Sequence, residues 1–431
     1  MTQTTSQAPP SRGCRDVMDV SPKLYSLILS VADALDLISP ELASHHKRVA
    51  YVASLLAKAA GLRGAALENV VVAALLHDAG GLTLKSKLMA LEFEHTHSEH
   101  EEYGYKLLRD APSLGEAAAL VRRHHAWWGR EAHLPLGCHI LHLADRVDAL
   151  VDKRRQILDQ AGEVTAAIAE HAGLMFDPKL TELFREIAAR ESFWFDLASP
   201  RIGSLVLAEL TANEGARDID LGADAALEFS RFIAQLIDFR SRFTATHSSG
   251  VAACSVALAA KAGLSAKELD LIRVAGYLHD LGKLAVPAEL IEKPGTLTDS
   301  EMNVMKSHTY LSYHILSRVA GLEQVAAWAS FHHERLNGSG YPFRLRGEDI
   351  APQARIIAAA DIFTAMTEDR PYRAATAPKT AVGVLKDMAA HGLVDQQVVA
   401  ILAADLDAVH DAREQAQTRA LEQYRNFYRL S

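Results

Sequence analysis

The sequence contains one ordered series of histidine and aspartate residues twice. The first copy consists of His46, His77-Asp78, His100, His124-His125 and Asp145. The second copy consists of His247, His279-Asp280, His308, His332-His333 and Asp361. Matched positions are separated by 201, 202, 208, 208 and 216 residues, a slow increase that loop insertions explain. A chain with two such copies is expected to fold into two versions of one domain.

Apolar residues recur at helical spacing through most of the chain, and we predict an all-α protein. Leu24, Leu27 and Val31 show the spacing of three and four residues that places side chains on one helix face. Residues 265–268 (SAKE) and 298–301 (TDSE) are capping boxes and predict helix starts. Together with the duplication, the pattern predicts two helical-bundle domains in tandem, each built around a histidine and aspartate cluster.

The length of 431 residues exceeds what one hydrophobic core usually organises, and we divide the chain into four segments. Residues 1–20 are polar and rich in Ser, Gln and Pro, and they predict a disordered tail. We predict that the two domains comprise residues 21–198 and 224–431. The linker is predicted at residues 199–223, which are richer in Gly, Asp and small residues. Residues 411–430 predict one polar helix whose partner surface the sequence does not identify.

Charge and cysteine distribution exclude several classes of protein. A formal net charge of −9 leaves no basic surface for sequence-independent binding to DNA or anionic lipid. Cys14, Cys138 and Cys254 are far apart, which fits a reducing compartment. Apolar runs such as residues 70–76 are much shorter than the roughly 18 to 20 residues of a membrane helix. We therefore expect a soluble, cytoplasmic protein that binds neither DNA nor membranes.

The repeated residues are typical of a site for two metal ions. Imidazole and carboxylate ligands suit Fe, Mn or Zn, and five histidines with two aspartates exceed the coordination of one ion. An isolated histidine on an apolar helix is more often a core residue, but an ordered set found twice favours metal binding. The aspartate of each His-Asp pair follows an apolar helix, where a buried carboxylate needs a cation. We expect Asp280 to bridge two ions about 3.5 to 4 Å apart.

The second half resembles the HD-GYP family of metal-dependent phosphohydrolases, which hydrolyse cyclic dinucleotides, typically cyclic di-GMP. The resemblance is carried by HDLGK at residues 279–283, His308, HHERLNGSGYP at 332–342, Ala360-Asp361 and DRPYR at 369–373. These motifs cover roughly residues 224–405. The first half resembles a divergent HD domain over roughly residues 22–190. The whole chain is thus similar to the tandem arrangement of an HD domain and an HD-GYP domain.

The resemblance implies two divalent transition metal ions in the second domain, with Fe or Mn favoured. One ion would be held by His247, His279, Asp280 and Asp361. The other would be held by Asp280, His308, His332 and His333. Some relatives hold a third ion with a glutamate four residues before the first histidine. Phe243 takes that position here, so we expect a dinuclear site.

The charges of such a site predict a mechanism. Two cations lower the pKa of a bridging water, so that hydroxide attacks phosphorus in line with the departing 3′ oxygen. Asp280 and Lys283 are the expected catalytic residues: Asp280 carries the ions, and Lys283 offsets charge on a phosphate oxygen in the transition state. The alternative for Lys283 is a solvated lysine that caps helix carbonyls.

Further residues are candidates for substrate binding. Arg370 and Arg373 offer paired donors to the second phosphate or to a guanine edge, the alternative being surface ion pairs. Gly340, Tyr341 and Pro342 belong to a loop that permits close approach of the backbone, and Tyr341 is expected to stack on a base. In the family this loop is also linked to protein partners, so both roles stay open.

The first half keeps the ligand types without the recognition residues. A second metal site is expected at His46, His77, Asp78, His100, His124, His125 and Asp145. Gly81 stands where the second half has Lys283, and Trp127-Trp128-Gly129-Arg130 replaces the GYP loop. Two interpretations remain equal: a second phosphohydrolase that acts on the linear dinucleotide, or a structural or ligand-sensing domain.

We predict a phosphodiesterase that converts a cyclic dinucleotide to the linear dinucleotide and, if the product is cut again, to mononucleotide. Cyclic di-GMP is the first candidate substrate. Cyclic GMP-AMP, with a nucleotidase activity in the first domain, is the second, because spacing does not distinguish guanine from adenine. A non-catalytic receptor that acts through protein partners is the third, although the complete ligand set and Lys283 argue against it. Oligomeric state and regulatory input stay open.

Overall fold

The structure, a computed structural model, divides the protein into two compact units, residues 22–221 and residues 222–429. It describes residues 23–37, 42–83, 99–111, 113–213, 222–239, 244–369 and 374–428. The predicted tail at residues 1–20 lies outside this part of the chain. The described residues form α-helices, short 3-10 helices and connecting turns, with no strand among them. The all-α prediction is therefore confirmed.

The first unit is a helical bundle. Its described helices are α1 (Leu24–Asp36), α2 (His45–Ala59), α3 (Gly64–Leu76), α4 (Glu99–Leu108), α5 (Gly115–Val121), α6 (Trp128–Glu131), α7 (Leu136–Leu150), α8 (Ile157–Glu170), α9 (Pro178–Ala188), α10 (Glu191–Leu197) and α11 (Ile202–Thr211). A 3-10 helix, Ala79–Thr83, follows α3. Leu56 of α2 and Leu75 of α3 are fully buried in the core. Burial of each such side chain contributes about 1.5 to 3 kcal/mol to the stability of the fold.

The second unit is a bundle of the same kind. Its described helices are α12 (Ala223–Asp238), α13 (His247–Lys261), α14 (Ala266–Leu278), α15 (Ala288–Ile291), α16 (Asp299–Leu316), α17 (Glu323–Ser330), α18 (Pro352–Met366), α19 (Pro378–Ala390), α20 (Gln396–Ala404) and α21 (Leu406–Tyr428). A 3-10 helix, Leu281–Ala285, follows α14. Both predicted capping boxes are present, at the starts of α14 and α16. None of the described helices has the length and apolarity needed to cross a membrane.

Helix packing repeats between the two units. In the first unit α2 packs against α3 and α7, while α5 packs against α3 and α4. In the second unit α13 packs against α14 and α18, while α17 packs against α14 and α16. The 3-10 helix contacts α4 in the first unit and α16 in the second. The sequence duplication thus corresponds to a duplicated set of helix contacts, which places the repeated residues alike.

One glycine in each unit sets the closest of these approaches. A Cβ atom on Gly282 would lie 2.0 Å from the carbonyl oxygen of His308, and one on Gly80 would lie 2.1 Å from that of His100. Any other residue would push the 3-10 helix away from the next helix. These glycines therefore keep each His-Asp pair close to the following histidine.

Parts of the predicted linker and the predicted polar helix belong to the packed units. Helix α11, inside the predicted linker at residues 199–223, packs against α2 of the first unit. Asn213 receives a hydrogen bond from the Gly64 amide (2.9 Å) and donates one to the Gly64 carbonyl (2.8 Å). Residues 214–221 lie outside the described part, and the three boundaries between the four predicted segments stay predictions. The polar helix predicted at 411–430 belongs to α21, which packs against α13.

Candidate metal centres

Helix ends deliver most of the predicted ligands of the second unit. His247 is the first residue of α13, and His279 and Asp280 follow the last residue of α14. His332 and His333 lie just beyond α17. His308 and Asp361 lie within α16 and α18. All of these side chains are buried except that of His333, which is partly buried.

The orientation of three histidine rings is fixed by their own helices. The Nδ1 atoms of His279, His308 and His332 lie 2.8, 2.6 and 2.7 Å from the carbonyl oxygens of the residues three positions earlier. Because a carbonyl only accepts, each Nδ1 must donate, and each Nε2 keeps its lone pair. His308 Nε2 and His332 Nε2 are 3.5 Å apart, so two lone pairs face each other.

Asp280 lies between two groups of histidines. Its Oδ2 is 3.1 Å from His279 Nε2 and 3.8 Å from His247 Nε2. Its Oδ1 is 3.4 Å from His308 Nε2 and 3.9 Å from His332 Nε2. One carboxylate thus presents one oxygen to each group, which is the arrangement expected of a bridging ligand.

The groups themselves are compact enough for one ion each. The ligand atoms of His247, His279 and Asp280 lie within 4.8 Å of one another, and so do those of His308, His332 and His333. Asp361 joins the first group, because its Oδ1 is 3.2 Å from His247 Nε2.

Electrostatics keeps Asp280 charged and the imidazoles of His308 and His332 neutral. Burial alone would raise the pKa of Asp280, but the adjacent His279 ring and the Lys283 ammonium hold that pKa well below its ordinary value. Burial lowers the pKa of His332 to about 3 and that of His308 to about 4. Charged carboxylates and neutral imidazoles are the forms that bind metal ions.

Unsatisfied buried atoms show that these residues fit a pair of divalent cations. His279 Nε2 and Asp280 Oδ1 are buried and have no hydrogen-bond partner. Such atoms are costly in a folded protein unless something satisfies them. A cation between the imidazole lone pairs and the carboxylate oxygens would do so, and nitrogen and oxygen donors together suit Fe, Mn or Zn.

The predicted substrate residues are placed unevenly. Lys283 Nζ is 2.5 Å from Asp280 Oδ2, at the edge of the cluster. The ring of Tyr341, which precedes Pro342, lies 4.9 Å from that of His333. A Cβ on Gly340 would lie 2.4 Å from the amide nitrogen of Arg335, so only glycine fits there. Arg370, Arg373 and Phe243 lie outside the described residues, and their predicted roles stay predictions.

Two carboxylates were not predicted from the sequence. Glu368 Oε2 lies 3.0 Å from His247 Nδ1, on the side of the ring away from Asp280 and Asp361. Asp148 Oδ2 lies 2.7 Å from His45 Nδ1 in the first unit. Glu368 is only seven residues after Asp361 and lies two residues beyond the end of α18, and this short distance along the chain was the one signal available.

In the first unit His45, rather than His46, occupies the first ligand position. His45 Nε2 is 3.3 Å from His77 Nε2, and both belong with Asp78 to a compact group of ligand atoms. His46 Nδ1 instead bonds Asp36 at 2.7 Å. The geometry therefore favours His45 over the predicted His46. The sequence alone did not separate the two, because it shows two adjacent histidines and the partner of neither.

The alignment of the two units explains this correction. Ser248 bonds Asp238 through its amide (3.0 Å) and its hydroxyl (2.9 Å), as His46 bonds Asp36. Ser248 follows His46 by 202 residues, and Asp238 follows Asp36 by 202 residues. The same spacing separates His77 and His279. His45 therefore corresponds to His247, which likewise begins its helix.

The other predicted residues of the first unit repeat the bridging arrangement. Asp78 Oδ2 is 3.5 Å from His77 Nε2, and Asp78 Oδ1 is 3.4 Å from His100 Nε2 and 3.7 Å from His124 Nε2. The ligand atoms of His100, His124 and His125 form a second compact group.

The acidic residue that completes the first cluster has a different neighbour from its counterpart. Asp145 Oδ1 is 3.6 Å from His45 Nε2, and Asp145 Oδ2 accepts a hydrogen bond from the buried Arg146 at 3.1 Å. The matching position in the second unit is Ile362. A fixed positive charge therefore neutralises part of the charge of Asp145, which distinguishes the two clusters.

Comparison with known proteins defines the class. An HD-domain family model matches residues 231–398, and a second HD-domain model matches residues 42–150. A solved cyclic GMP-AMP specific phosphodiesterase of Vibrio cholerae shares the fold, with a TM-score of 0.65, 22% identity and coverage of 90% of this chain and 98% of that one. The protein is thus a tandem HD-domain protein.

Individual relatives narrow the class further. The 3′3′-cGAMP-specific phosphodiesterase 1 of Vibrio cholerae is 30% identical over 88% of this chain and 91% of the relative. A cyclic di-GMP phosphodiesterase response regulator of Xanthomonas campestris is 40% identical over 36% of this chain and 41% of the relative. The chain belongs to the HD-GYP family of metal-dependent phosphodiesterases.

Proposed function

We propose that the second unit opens a cyclic dinucleotide by hydrolysis of a phosphodiester bond, with cyclic di-GMP as the first candidate substrate. The observation that carries the proposal is the position of Asp280 between two groups of buried imidazole nitrogens, with the Lys283 ammonium beside it. In two-ion sites that cleave phosphodiesters, the two metals stabilise the attacking and leaving oxygens, and a nearby lysine can stabilise charge on a phosphate oxygen.

The proposal assigns residues to two ions, Fe or Mn. His247, His279, Asp280 and Asp361 would hold one of them. Asp280, His308, His332 and His333 would hold the other. When bound, such a pair supplies Lewis acidity and a nucleophile derived from water near neutral pH.

The remaining steps belong to side chains of the chain itself. Lys283 Nζ lies beside Asp280 at the cluster. When substrate is bound, it would turn to a phosphate oxygen and stabilise the charge that accumulates there. Tyr341 presents a ring next to His333 on which a base can stack. Arg370 and Arg373 would bind the second phosphate. Pro342 and Gly340 shape the loop, which is also our candidate surface for protein partners.

A second candidate substrate is 3′3′-cyclic GMP-AMP. The observation that favours it is coverage: the relative named for this substrate matches the chain across both units, whereas the cyclic di-GMP relative matches a third of it. Only a direct comparison of the two substrates distinguishes these candidates.

For the first unit we propose metal binding at His45, His77, Asp78, His100, His124, His125 and Asp145. The bridging geometry of Asp78 supports this. The absence of a lysine at Gly81 leaves the unit without a counterpart of Lys283. Phosphohydrolysis of the linear product and a structural or sensing role are the two proposals for its activity. A cytoplasmic location is part of the proposal for the whole chain.

Product chromatography tests the proposed function. Full-length protein, reloaded anaerobically with Fe or Mn, is incubated with cyclic di-GMP and with 3′3′-cyclic GMP-AMP. We expect a linear dinucleotide from at least one of them. Asp280→Asn should abolish the reaction, while Asp387→Asn, a change of an exposed aspartate on α19, should not. Binding of both substrates without cleavage of either would refute the proposal and favour the receptor.

A further inference from the structure

We propose that helix α21 positions the first metal ligand of the second unit, His247, through Gln417 and Glu368. This inference rests on the proposed metal centre and adds residues that none of the motifs contains. It begins from a difference among the histidines. His279, His308 and His332 find a carbonyl oxygen in their own helix, whereas His247 is the first residue of α13 and has no preceding helical turn.

Glu368 supplies the partner that the helix does not. Its Oε2 lies 3.0 Å from His247 Nδ1, and both side chains are more than nine-tenths buried. A carboxylate accepts, so Nδ1 donates and the Nε2 lone pair is directed towards Asp361, 3.2 Å away. A carboxylate behind a metal-binding histidine fixes both the tautomer and the ring orientation.

Gln417 holds this carboxylate in place. Its Nε2 donates to Glu368 Oε1, and its Oε1 accepts from Arg413 Nη1. Arg413 is 3% exposed and also contacts His410 Nδ1 at 3.1 Å. Because a guanidinium only donates and a carboxylate only accepts, the amide has one orientation that satisfies both neighbours. Helix α21 therefore delivers a donor of fixed direction to Glu368.

The first unit solves the same problem with a residue of its own ligand helix. His45, which begins α2, bonds Asp148, and Arg48 of α2 binds both oxygens of Asp148. The position that corresponds to Arg48, 202 residues later, is Gly250.

Gly250 is the feature that lets α21 take over this task. A Cβ on Gly250 would lie 2.7 Å from Gln417 Nε2. The second unit thus has a glycine where the first has an arginine, and the side-chain amide of Gln417 occupies the space beside that glycine. In each unit a nitrogen donor binds the carboxylate behind the first histidine, but in the second unit the donor comes from a different helix. Simple packing of α21 against α13 would not require a donor at this position.

Manganese binding by the full-length protein tests the inference. Metal-free protein is titrated with Mn²⁺, and bound ions per chain are measured against free Mn²⁺. Three variants, Glu368→Gln, Gln417→Ala and Gly250→Ala, should each lower the affinity for one of the bound ions by about 10-fold or more. This is the usual loss of metal affinity when the hydrogen-bond partner of a metal-binding histidine is removed. Gln415→Ala, a change of an exposed residue on the same helix, should bind like the parent.

Gly250→Ala separates positioning from a merely structural role. Alanine favours a helix interior over glycine, so the metal-free variant should melt no lower than the parent if only the flexible end of Gln417 moves. Its hydrolysis should fall at limiting Mn²⁺ and recover at excess Mn²⁺.

The possible failures are distinguishable. A parent protein that binds neither Mn²⁺ nor, in the same titration under anaerobic conditions, Fe²⁺ would refute the proposed function itself. A parent that binds Mn²⁺ while all three variants match it would overturn only the inference. The inference would also be overturned if Gln415→Ala weakened Mn²⁺ binding as much as Gln417→Ala, because α21 would then act through its overall stability.

Discussion

At the residue scale, the site is defined by which nitrogen of each imidazole carries the hydrogen. Backbone carbonyls fix this for His279, His308 and His332, and a carboxylate fixes it for His247. The metal-free protein consequently holds several lone pairs facing one another. Metal binding relieves this arrangement, so ion affinity is coupled to the stability of the fold.

The two adjacent histidines of α2 give the first prediction. His45→Ala should remove one ion from the first unit, because His45 Nε2 faces His77 Nε2 at 3.3 Å. His46→Ala should keep the ion, because His46 bonds Asp36 instead. Metal analysis of the two variants after reloading with Mn²⁺ measures the difference. Equal metal contents would show that the alignment of His45 with His247 is wrong.

The lysine next to the bridging aspartate gives the second prediction. Lys283→Met should lower kcat by about 100-fold while two ions stay bound in the second unit, because only stabilisation of transition-state charge is lost. Steady-state kinetics and metal analysis of the same sample measure both quantities. Lys261→Met, which removes a surface ion pair with Asp405, is the matched control. Full activity of Lys283→Met would favour the alternative of a solvated lysine.

At the element scale, the site depends on how closely a 3-10 helix approaches the next ligand helix. The carbonyl of His308 occupies the space where a side chain on Gly282 would begin. The Gly282 amide also donates to Ser312 Oγ of α16 at 2.8 Å. This contact fixes Asp280 relative to His308, so the bridging distance is a property of two packed elements.

This close approach gives the third prediction. Gly282→Ala should reduce the free energy of unfolding by about 1 to 3 kcal/mol, the usual cost of overpacking, and should weaken metal binding because α16 must move. Denaturant unfolding and Mn²⁺ titration measure the two effects. Gly383→Ala in α19 has open space around its new Cβ and should be neutral or stabilising by up to about 1 kcal/mol. Similar behaviour of the two variants would contradict the packing argument.

Sequence reasoning succeeded where the chemistry is local and failed where it is distant. The burial of Asp280 was predictable because this residue follows an apolar helix, and the capping box at Ser265 was predictable because its partner is three residues away. His45 and His46 were not separable, since the difference lies in partners on other elements. Gln417 carried no local signal at all, because its function depends on a glycine far away along the chain.

At the scale of the whole molecule, two copies of one helix arrangement have diverged around the same ligand plan. The first unit has Arg146 against Asp145 and Gly81 at the position that corresponds to Lys283, while the second has a lysine at the aspartate between its two groups of histidines. The ligand plan was predictable because it is repeated. The differences between the copies had to be read from side-chain contacts.

Buried histidines in both units give the fourth prediction. Burial lowers the pKa of His100 and of His308 to about 4, and that of His142 and of His332 to about 3. In the unfolded chain these groups have pKa values near 6.5, so the unfolded state takes up protons first as pH falls. The stability that these four histidines contribute by staying neutral is therefore complete above about pH 6.5 and is lost progressively towards about pH 4.

Thermal unfolding of the metal-free protein checks this expectation. The melting temperature should fall steadily between about pH 6.5 and about pH 4, and the slope should exceed that of a variant in which His332 is replaced by Gln. Exposed His391, replaced in the same way, is the control, because its ring is open to solvent in the folded protein. A melting temperature independent of pH over this interval would contradict the burial argument.

The contrast between Arg48 and Gln417 also bears on the order in which the centres are completed during synthesis. The described partner of His45, Asp148, and the arginine that binds it have been translated once residue 148 has left the ribosome. The described support of His247 is finished only when Gln417 has emerged, long after the last predicted ligand, Asp361. If both units bind metal as proposed, a nascent chain therefore completes the direct support of His45 before that of His247.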